Sequence, residues 1–396
     1  MKILLVHNRY QQPGGEDVVF EQERKLLEGA GHQVATYCRT NDEVKGYSGV
    51  RRLTLIRNTI SSEDSRREVL QLLRREEPDV VHIHNTFMMI SPSIYGACRE
   101  GQVPVVQTLH NYRLLCPGAN FFRDGRVCED CQADGLWRGV QHACYRGSRA
   151  ATATVTLMLA VHQRRHTWES IDRFIALSEF ARGKFIAGGL PGARIDVKPN
   201  FVDPDPGERT GGGGYAAFVG RLSEEKGLET LVAAWAKLGN KVPLVIVGDG
   251  PLGPTIRQQA EKLGVTSIDF RGRLPRSEAQ AVVRGASFIL LTSECYENFP
   301  MGIVEAYACG VPVIASRLGA LQELVDERRL GLHFTPGSSE ELAEKVKWAW
   351  AHPERLREMG KEARREFVNR YTAEKNYSML MNIYQTAIGH PHEVPA

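Results

Sequence analysis

Phe288-Ile-Leu-Leu-Thr-Ser-Glu-Cys-Tyr-Glu297-Asn298-Phe299-Pro300-Met301-Gly-Ile-Val-Glu305-Ala-Tyr-Ala-Cys-Gly310-Val-Pro-Val-Ile-Ala-Ser316 decides the fold of this chain. The runs 288–293 and 310–316 are short and apolar, the pattern of strands buried on both faces of a parallel sheet. Between them Pro300 suits the first position of a helix, where its missing N–H costs nothing. The spacing predicts a helix to about Cys309, with Glu297 and Asn298 in the loop before it and Glu305 between one and two turns inside. In open parallel sheets ligands sit beyond the carboxyl ends of the strands, which is where that loop falls. A helix start offers unpaired N–H groups and a positive dipole end, a binding place for phosphate oxygens. Two carboxylates on either side could hold hydroxyls flanking a diphosphate, the layout of a nucleotide-sugar. Acids that merely face water are the plainer alternative for any Glu pair, and the strand–helix–strand setting speaks against it here.

Working outward, strands alternate with helical patterns over nearly all 396 residues, which predicts α/β architecture in two doubly wound halves. Strands are expected at Met1–His7, His32–Tyr37, Val80–His84, Val103–Leu109 and Phe174–Leu177, and after the midpoint at 215–220, 244–247, 267–270, 288–292 and 311–315. A helix is expected from Val18 to about Gly29, and others at 340–351, 355–370 and 372–388. Residues 39–65 are polar and irregular and read as a long loop. The Pro- and Gly-rich stretch from Val197 to Gly214 reads as the domain linker. Gly14-Gly15, between a strand and a helix, would let backbone N–H groups approach a ligand closely, although such a turn also occurs without one.

Residues 1–200 carry 27 Lys and Arg against 22 Asp and Glu, leaving 23 against 25 in the rest. That asymmetry suits a negatively charged lipid or glycan reaching the first half and is too weak for nucleic acid. The chain opens directly on a strand pattern with no secretory leader, so a cytoplasmic protein is expected. Its longest apolar-leaning run, Ala150 to Val161, contains three threonines and falls short of the roughly 20 residues a membrane helix needs. The run ends in His162-Gln-Arg-Arg165, which leaves peripheral contact with the inner membrane face open.

After the second half's first strand comes Gly220-Arg221-Leu-Ser-Glu-Glu-Lys226-Gly227. Arg221 and Lys226 on one turn could grip phosphate as a planar fork and a point charge. They would stabilise the negative charge growing on a departing diphosphate, so catalysis would need no metal or other cofactor. Here the chain resembles the family 4 retaining glycosyltransferases of GT-B fold. The resemblance rests on Gly220-Arg221-Leu222, Glu225-Lys226-Gly227, Gly248-Asp249-Gly250-Pro251, Ser293-Glu294, Glu297-Asn298-Phe299-Pro300, Glu305-Ala306 and 310–316, and in the first half on Gly14-Gly15, Leu109-His110, Ser178-Glu179-Phe180 and Pro199-Asn200.

The resemblance implies two Rossmann-like doubly wound domains facing each other across a cleft: an acceptor domain over 1–198, a donor domain over 199–371, and a helix at 372–396 crossing back to the first. It implies that Arg221 and Lys226 bind the donor diphosphate, Glu305 the ribose hydroxyls, and Glu297 with the backbone of Asn298, Phe299, Pro300 and Met301 the donor sugar. Gly14 and Gly15 would let the first domain close on the diphosphate. His110, at a strand end, would face the reacting sugar, and Arg273 and Leu274 fall where such enzymes bind the base. The leaving phosphate would help deprotonate the incoming hydroxyl, so no protein nucleophile is required; Glu16 and Asp17 are candidate acceptor-side groups without a spacing that makes either a base. The implied partners are a UDP-, GDP- or ADP-linked sugar and a glycan or lipid-linked acceptor of cell-surface polysaccharide or glycoconjugate synthesis.

Four of the eight cysteines, Cys116, Cys128, Cys131 and Cys144, lie within 29 residues, in an insertion over about 112–148. In a reducing compartment, thiols so spaced bind metal more often than they form disulfides. A tetrahedral structural zinc is the first reading; unligated thiols, an iron–sulfur cluster, disulfides, or His142 in place of one sulfur stay open. Following His110, the insertion would roof the acceptor cleft, and family 4 sequences opening on a segment similar to His110-Asn-Tyr-Arg-Leu-Leu-Cys-Pro117 carry comparable cysteines. Two other functions remain: a non-hydrolysing nucleotide-sugar epimerase, against which the Arg221/Lys226 and Glu297/Glu305 pairs speak together, and a sugar-nucleotide-binding protein without turnover. An epimerase would interconvert two nucleotide-sugars with no acceptor.

Overall fold

The computed structural model describes residues 1–11, 14–45, 50–209 and 213–389, with the side chains of 50–53 excepted. It divides into two compact units, one of 1–120, 129–199 and 376–396, the other of 121–128 and 200–375.

The first unit opens with β1 (Lys2–Arg9), α1 (Gly15–Gly29), β2 (Gln33–Thr40), α2 (Val50–Ile60), α3 (Glu63–Glu76), β3 (Val80–Asn85), α4 (Ile94–Glu100) and β4 (Val105–Thr108). A two-stranded hairpin follows, β5 (Phe122–Arg123) with β6 (Arg126–Val127), which by its contacts belongs to the second unit. The first unit continues through α5 (Asp130–Asp134), α6 (Trp137–Gln141), α7 (Arg149–Arg164), β7 (Arg173–Ala176), α8 (Glu179–Ala187) and β8 (Ile195–Val197). Its sheet is parallel, in the order β2-β1-β3-β4-β7-β8. All six residues of β3 are buried, as a strand covered on both faces requires.

The second unit holds β9 (Ala216–Val219), α9 (Leu228–Leu238), β10 (Leu244–Val247), α10 (Gly253–Lys262), β11 (Ile268–Gly272), α11 (Arg276–Gly285), β12 (Phe288–Leu291), α12 (Met301–Ala308), β13 (Val313–Ser316), α13 (Gly319–Leu324), β14 (Gly331–Phe334), α14 (Ser339–Ala351) and α15 (Pro353–Arg370). Its parallel sheet runs β11-β10-β9-β12-β13-β14. The core gathers around Trp235, fully buried, whose indole N–H donates to Val242 O at 2.8 Å and so carries no unmet donor inside. The last helix, α16, spans Ala373–Gly389.

Each sheet reverses its strand order once beside its first strand, between β1 and β3 and between β9 and β12. Reversal parts the two flanking loops and opens a crevice at the carboxyl ends, where ligands of such sheets bind.

The expected α/β class and the strand–helix–strand reading of 288–316 agree with this architecture. Pro300 stands one place earlier than expected: with ψ at 103° it caps the helix, which starts at Met301. The reading of 39–65 as a loop is overturned. Its described residues form a short 3-10 turn (Asn41–Val44), α2 and the start of α3. Ser62 caps α3, its hydroxyl accepting from Ser65 N, while acids sit in the first turn and Arg74 and Arg75 in the last, each complementing the dipole. The end of α2 is fixed from afar, by His162 Nε2 at 2.7 Å from Ile60 O. β8 and the hairpin are too short to stand out in the sequence, and β14 is a further strand outside the expected set.

Candidate active site

In the second unit the turn after β9 and the loop after β12 meet at the reversal. Gly227 is the residue that allows this. Its φ is +63°, and a Cβ there would fall 2.1 Å from Thr292 O, so only glycine lets the Lys226 turn lie against the end of β12. Thr292 ties the two further, its hydroxyl donating to Lys226 O at 2.7 Å, and Glu294 N donates to Glu225 O at 2.9 Å. Lys226 Nζ then reaches Glu297 Oε1 at 2.5 Å, and the same oxygen accepts from Ser293 Oγ at 2.6 Å.

Burial alone would lower the Lys226 pKa, but the charge and hydrogen bond of Glu297 outweigh it and hold the ammonium protonated well beyond neutral pH. Burial likewise pushes Glu297 up, and Lys226 overrides it, leaving the carboxylate below its ordinary range. The two side chains keep 25% and 15% of their surface exposed, so a ligand can still touch both. Arg221, on the same turn, is exposed, and its side chain makes no ion pair or hydrogen bond among the described residues. Two cations, one fixed and one free, thus sit at a strand terminus suited to phosphate.

α12 begins next to this pair. Ile303 N bonds Pro300 O at 3.0 Å, and no side chain caps the helix start. Glu305, one turn in, is half-buried and has no hydrogen-bond partner among the described residues. Burial holds its pKa above the ordinary range, Arg276 opposing. A desolvated carboxylate without a partner is costly unless a ligand satisfies it. Asn298 and Phe299 are buried in the loop before α12. Arg273 is exposed and Leu274 half-buried, in the turn between β11 and α11.

In the first unit the site residues collect at the β1/β3 reversal. Gly14 caps α1, and its N–H donates to Asp17 Oδ2 at 2.7 Å, while Asp17 Oδ1 pairs with His7 Nε2 at 2.9 Å. Asn85 and Asn111 donate to the two oxygens of Glu16 at 2.9 and 3.3 Å. His110 follows β4, its Nε2 2.9 Å from His84 Nδ1, the rings stacked 5.2 Å apart. Both histidines are pushed well below the usual imidazole range by burial, so both are neutral. They line a cavity of about 60 Å³ with Gln107, Tyr95, Met158 and Trp168.

Sequence reading missed this histidine network, made of His7, His82 and His84 with Glu23 and Lys198 behind them. The signal was present: His82 and His84 alternate within an apolar strand, and a buried imidazole needs partners for both nitrogens.

None of the four clustered cysteines is in a disulfide; Cys116 is buried and Cys128, Cys131 and Cys144 are half-buried. The segments of Cys131 and Cys144 converge on Gly139, where a Cβ would fall 3.3 Å from Cys131 Sγ and 3.0 Å from Pro117, and whose O accepts from Cys144 N at 3.0 Å. A Cβ on Gly118, two residues past Cys116, would lie 3.6 Å from Cys144 Cβ. Among the described residues the ligand atoms gathered closely enough to suggest a metal site are those of Glu23, His82 and His84, and the four cysteines are not among them. The hairpin portion of the insertion sits elsewhere than expected: it groups with the second unit, where the Phe121 ring meets that of Tyr296, neighbour of Glu297, at 5.9 Å.

Among the described residues no helix is long and apolar enough to cross a membrane.

Residues 13–206 match the family model described as Glycosyltransferase Family 4, and 204–366 the one described as Glycosyl transferases group 1. Each half of the chain is thus matched by a glycosyltransferase domain. The 2-deoxystreptamine glucosyltransferase of Streptomyces kanamyceticus is 35% identical over 172 residues, 39% of this chain and 44% of that protein. The alpha-monoglucosyldiacylglycerol synthase of Streptococcus pneumoniae is 24% identical over 340 residues, 83% of this chain and 74% of that one. The chain spans under half the length of the first of these relatives. HepE of Anabaena, solved in complex with UDP, superposes with a TM-score of 0.68 at 19% identity, covering 96% of this chain and 99% of its own. The fold is therefore GT-B.

Proposed function

We propose that this chain is a retaining glycosyltransferase that moves a sugar from a nucleotide diphosphate to a glycan or lipid-linked acceptor in the synthesis of cell-surface polysaccharide or glycoconjugate. The observation that carries the reading is the donor-side constellation of the second unit: free Arg221, the Lys226–Glu297 pair at 2.5 Å, and Glu305 without a partner, all at the strand reversal. Arg221 and Lys226 take the diphosphate and stabilise the charge that develops as it leaves. The α12 start adds its amides, Glu297 and the Asn298 to Met301 backbone hold the sugar, and Glu305 the ribose. Arg273 and Leu274 flank the base, and Gly14 and Gly15 admit the diphosphate closely on the acceptor side. No step passes through a metal. A structural zinc held by Cys116, Cys128, Cys131 and Cys144 belongs to the same proposal, its role confined to pinning the insertion. Metal analysis of protein never exposed to chelator checks it, with about one atom per chain expected for a closed site.

Solved neighbours of the same fold hold UDP and UDP-glucose, so a uridine donor is the first to try. A thermal-shift screen against UDP-, GDP- and ADP-sugars tests the reading, because a specific ligand raises the melting temperature by mass action. One nucleotide series should stand out, and once an acceptor is supplied its sugar should pass to the acceptor while the nucleotide diphosphate is released. Interconversion of two nucleotide-sugars without acceptor would instead mark an epimerase.

A further inference from the structure

Behind His110 lies a line of buried groups that the donor site does not use. Lys198 Nζ bonds Glu23 Oε1 at 2.5 Å, with both side chains fully buried. The other oxygen of that carboxylate, Oε2, lies 3.4 Å from His84 Nε2 and 3.7 Å from His82 Nδ1, and neither Oε2 nor His84 Nε2 has a hydrogen-bond partner. His84 Nδ1 in turn lies 2.9 Å from His110 Nε2. All of these residues belong to one unit.

Glu23, His82 and His84 also approach one another closely enough, within 4.8 Å, to suggest a metal site. The ammonium of Lys198 already sits on the carboxylate and would repel a cation. Both nitrogens of His82 are taken as well, by Tyr384 and Thr108 hydroxyls at 2.7 Å each. The group is a line of buried polar contacts instead.

A carboxylate oxygen 3.4 Å away attracts an N–H and repels a bare nitrogen lone pair, so the charge of Glu23 places the His84 proton on Nε2. A neutral imidazole carries one proton, which leaves Nδ1 of His84 as an acceptor. His110 must then donate from Nε2, which strips its Nδ1. We propose that Lys198, Glu23 and His84 act as positioning residues that lock His110 in the Nε2–H tautomer and so make its remaining nitrogen a hydrogen-bond acceptor toward the substrate.

The consequence is a rule of recognition that rests on the glycosyltransferase reading: the sugar reaching His110 must present a hydroxyl or N–H there. Neutrality matters equally. A sugar losing its phosphate becomes positive at the anomeric carbon, and an imidazolium beside it would oppose that charge, whereas a lone pair does not. No described residue bonds His110 Nδ1.

The test reads the tautomer directly, by two-bond ¹H–¹⁵N correlation on histidine-labelled full-length protein, without substrate. Wild type is expected to show His110 protonated at Nε2 and bare at Nδ1; the reverse pattern, or an imidazolium at neutral pH, overturns the proposal even if sugar transfer proves correct. His84→Asn keeps an acceptor amide oxygen near the Nδ1 position and should preserve the His110 signature. His84→Leu removes it and should give mixed tautomers, with about tenfold slower nucleotide release from whichever donor the screen identifies, as one lost hydrogen bond implies. The donor KM should stay unchanged, and His84→Asn should recover the rate. A pure Nε2–H signal persisting in His84→Leu would assign the tautomer to something other than this line. Should that variant fail to fold, the wild-type spectrum decides alone.

Discussion

Replacing Glu305 by alanine separates the nucleotide half of the donor from the sugar half. The carboxylate is half-buried and unpartnered among the described residues, and burial holds its pKa raised, so much of its desolvation cost is already present in the free protein. Two ribose hydroxyls donating to it would form charge-assisted hydrogen bonds of about 1.5–3 kcal/mol each. Allowing for desolvation of the ribose, the loss in Glu305→Ala is roughly 3 kcal/mol, or on the order of a hundredfold in Kd. Glu305→Gln, which keeps one acceptor oxygen, should lose about tenfold. Neither variant should unfold the protein, since each removes a buried charge that has no native partner. Calorimetric titration with UDP alone and with a UDP-sugar makes the argument sharp. Because the contact is to ribose, both ligands should weaken equally in Glu305→Ala, whereas Glu297→Gln should weaken the UDP-sugar and spare UDP. Unchanged UDP affinity in Glu305→Ala would refute the assignment of this carboxylate to the nucleotide.

Lys226→Met leaves Glu297 partly buried without its cation, so a stability loss of about 1–3 kcal/mol is expected in urea titration. Turnover should fall further than donor affinity, because the cation acts most on the charge of the departing phosphate; equal kinetics in variant and wild type would remove the charge-stabilisation argument. The buried histidines set an acid limit. Burial pushes His82 down to about 4, so between about pH 6.5 and that value the unfolded chain binds a proton that the native state refuses. Stability should be flat above that window and fall within it, by about 3 kcal/mol from His82 alone, with the slope of the urea midpoint against pH reduced in His82→Gln. ¹H NMR of the first product formed from an α-linked donor should show an α-linkage; a β-linkage would overturn the retaining assignment.

How much of this was legible depended on sequence distance. The β12–α12–β13 unit could be read because its signals are local: two apolar runs, a proline at a helix start and glutamates at fixed offsets. The site itself is assembled from pairs that no local pattern announces. Lys226 and Glu297 are 71 residues apart, Lys198 and Glu23 175. Each alone is an ordinary charged residue, and burial turns the second pair from surface charges into the anchor of a line of buried polar contacts. The region 39–65 misled for the same reason. Its helices have sparse apolar residues, and what stabilises the end of α2 is a hydrogen bond from His162, 102 residues away in sequence. The hairpin of the cysteine insertion could not be assigned to the second unit at all, since its partner there is Tyr296.

The acceptor-side carboxylates bear on mechanism. An inverting transferase needs a side-chain base with a free lone pair aimed at the incoming hydroxyl. Asp17 has one oxygen on His7 and the other on Gly14 N–H, and although burial would raise its pKa, those bonds hold it below the ordinary range, which makes it a weak base. Glu16 is the stronger candidate on basicity, since burial raises its pKa. Yet both its oxygens accept from amides, Asn85 and Asn111, which bridge it to β3 and to the segment after β4. Those bonds orient His84 and His110 by fixing the residues next to each, a use of the carboxylate that proton transfer would undo. With both acids engaged in holding the strand ends, the retaining course we propose would leave deprotonation of the acceptor to the leaving phosphate, which is generated at the moment it is needed and lies on the face of the sugar from which it departs. Attack from that face preserves the anomeric configuration.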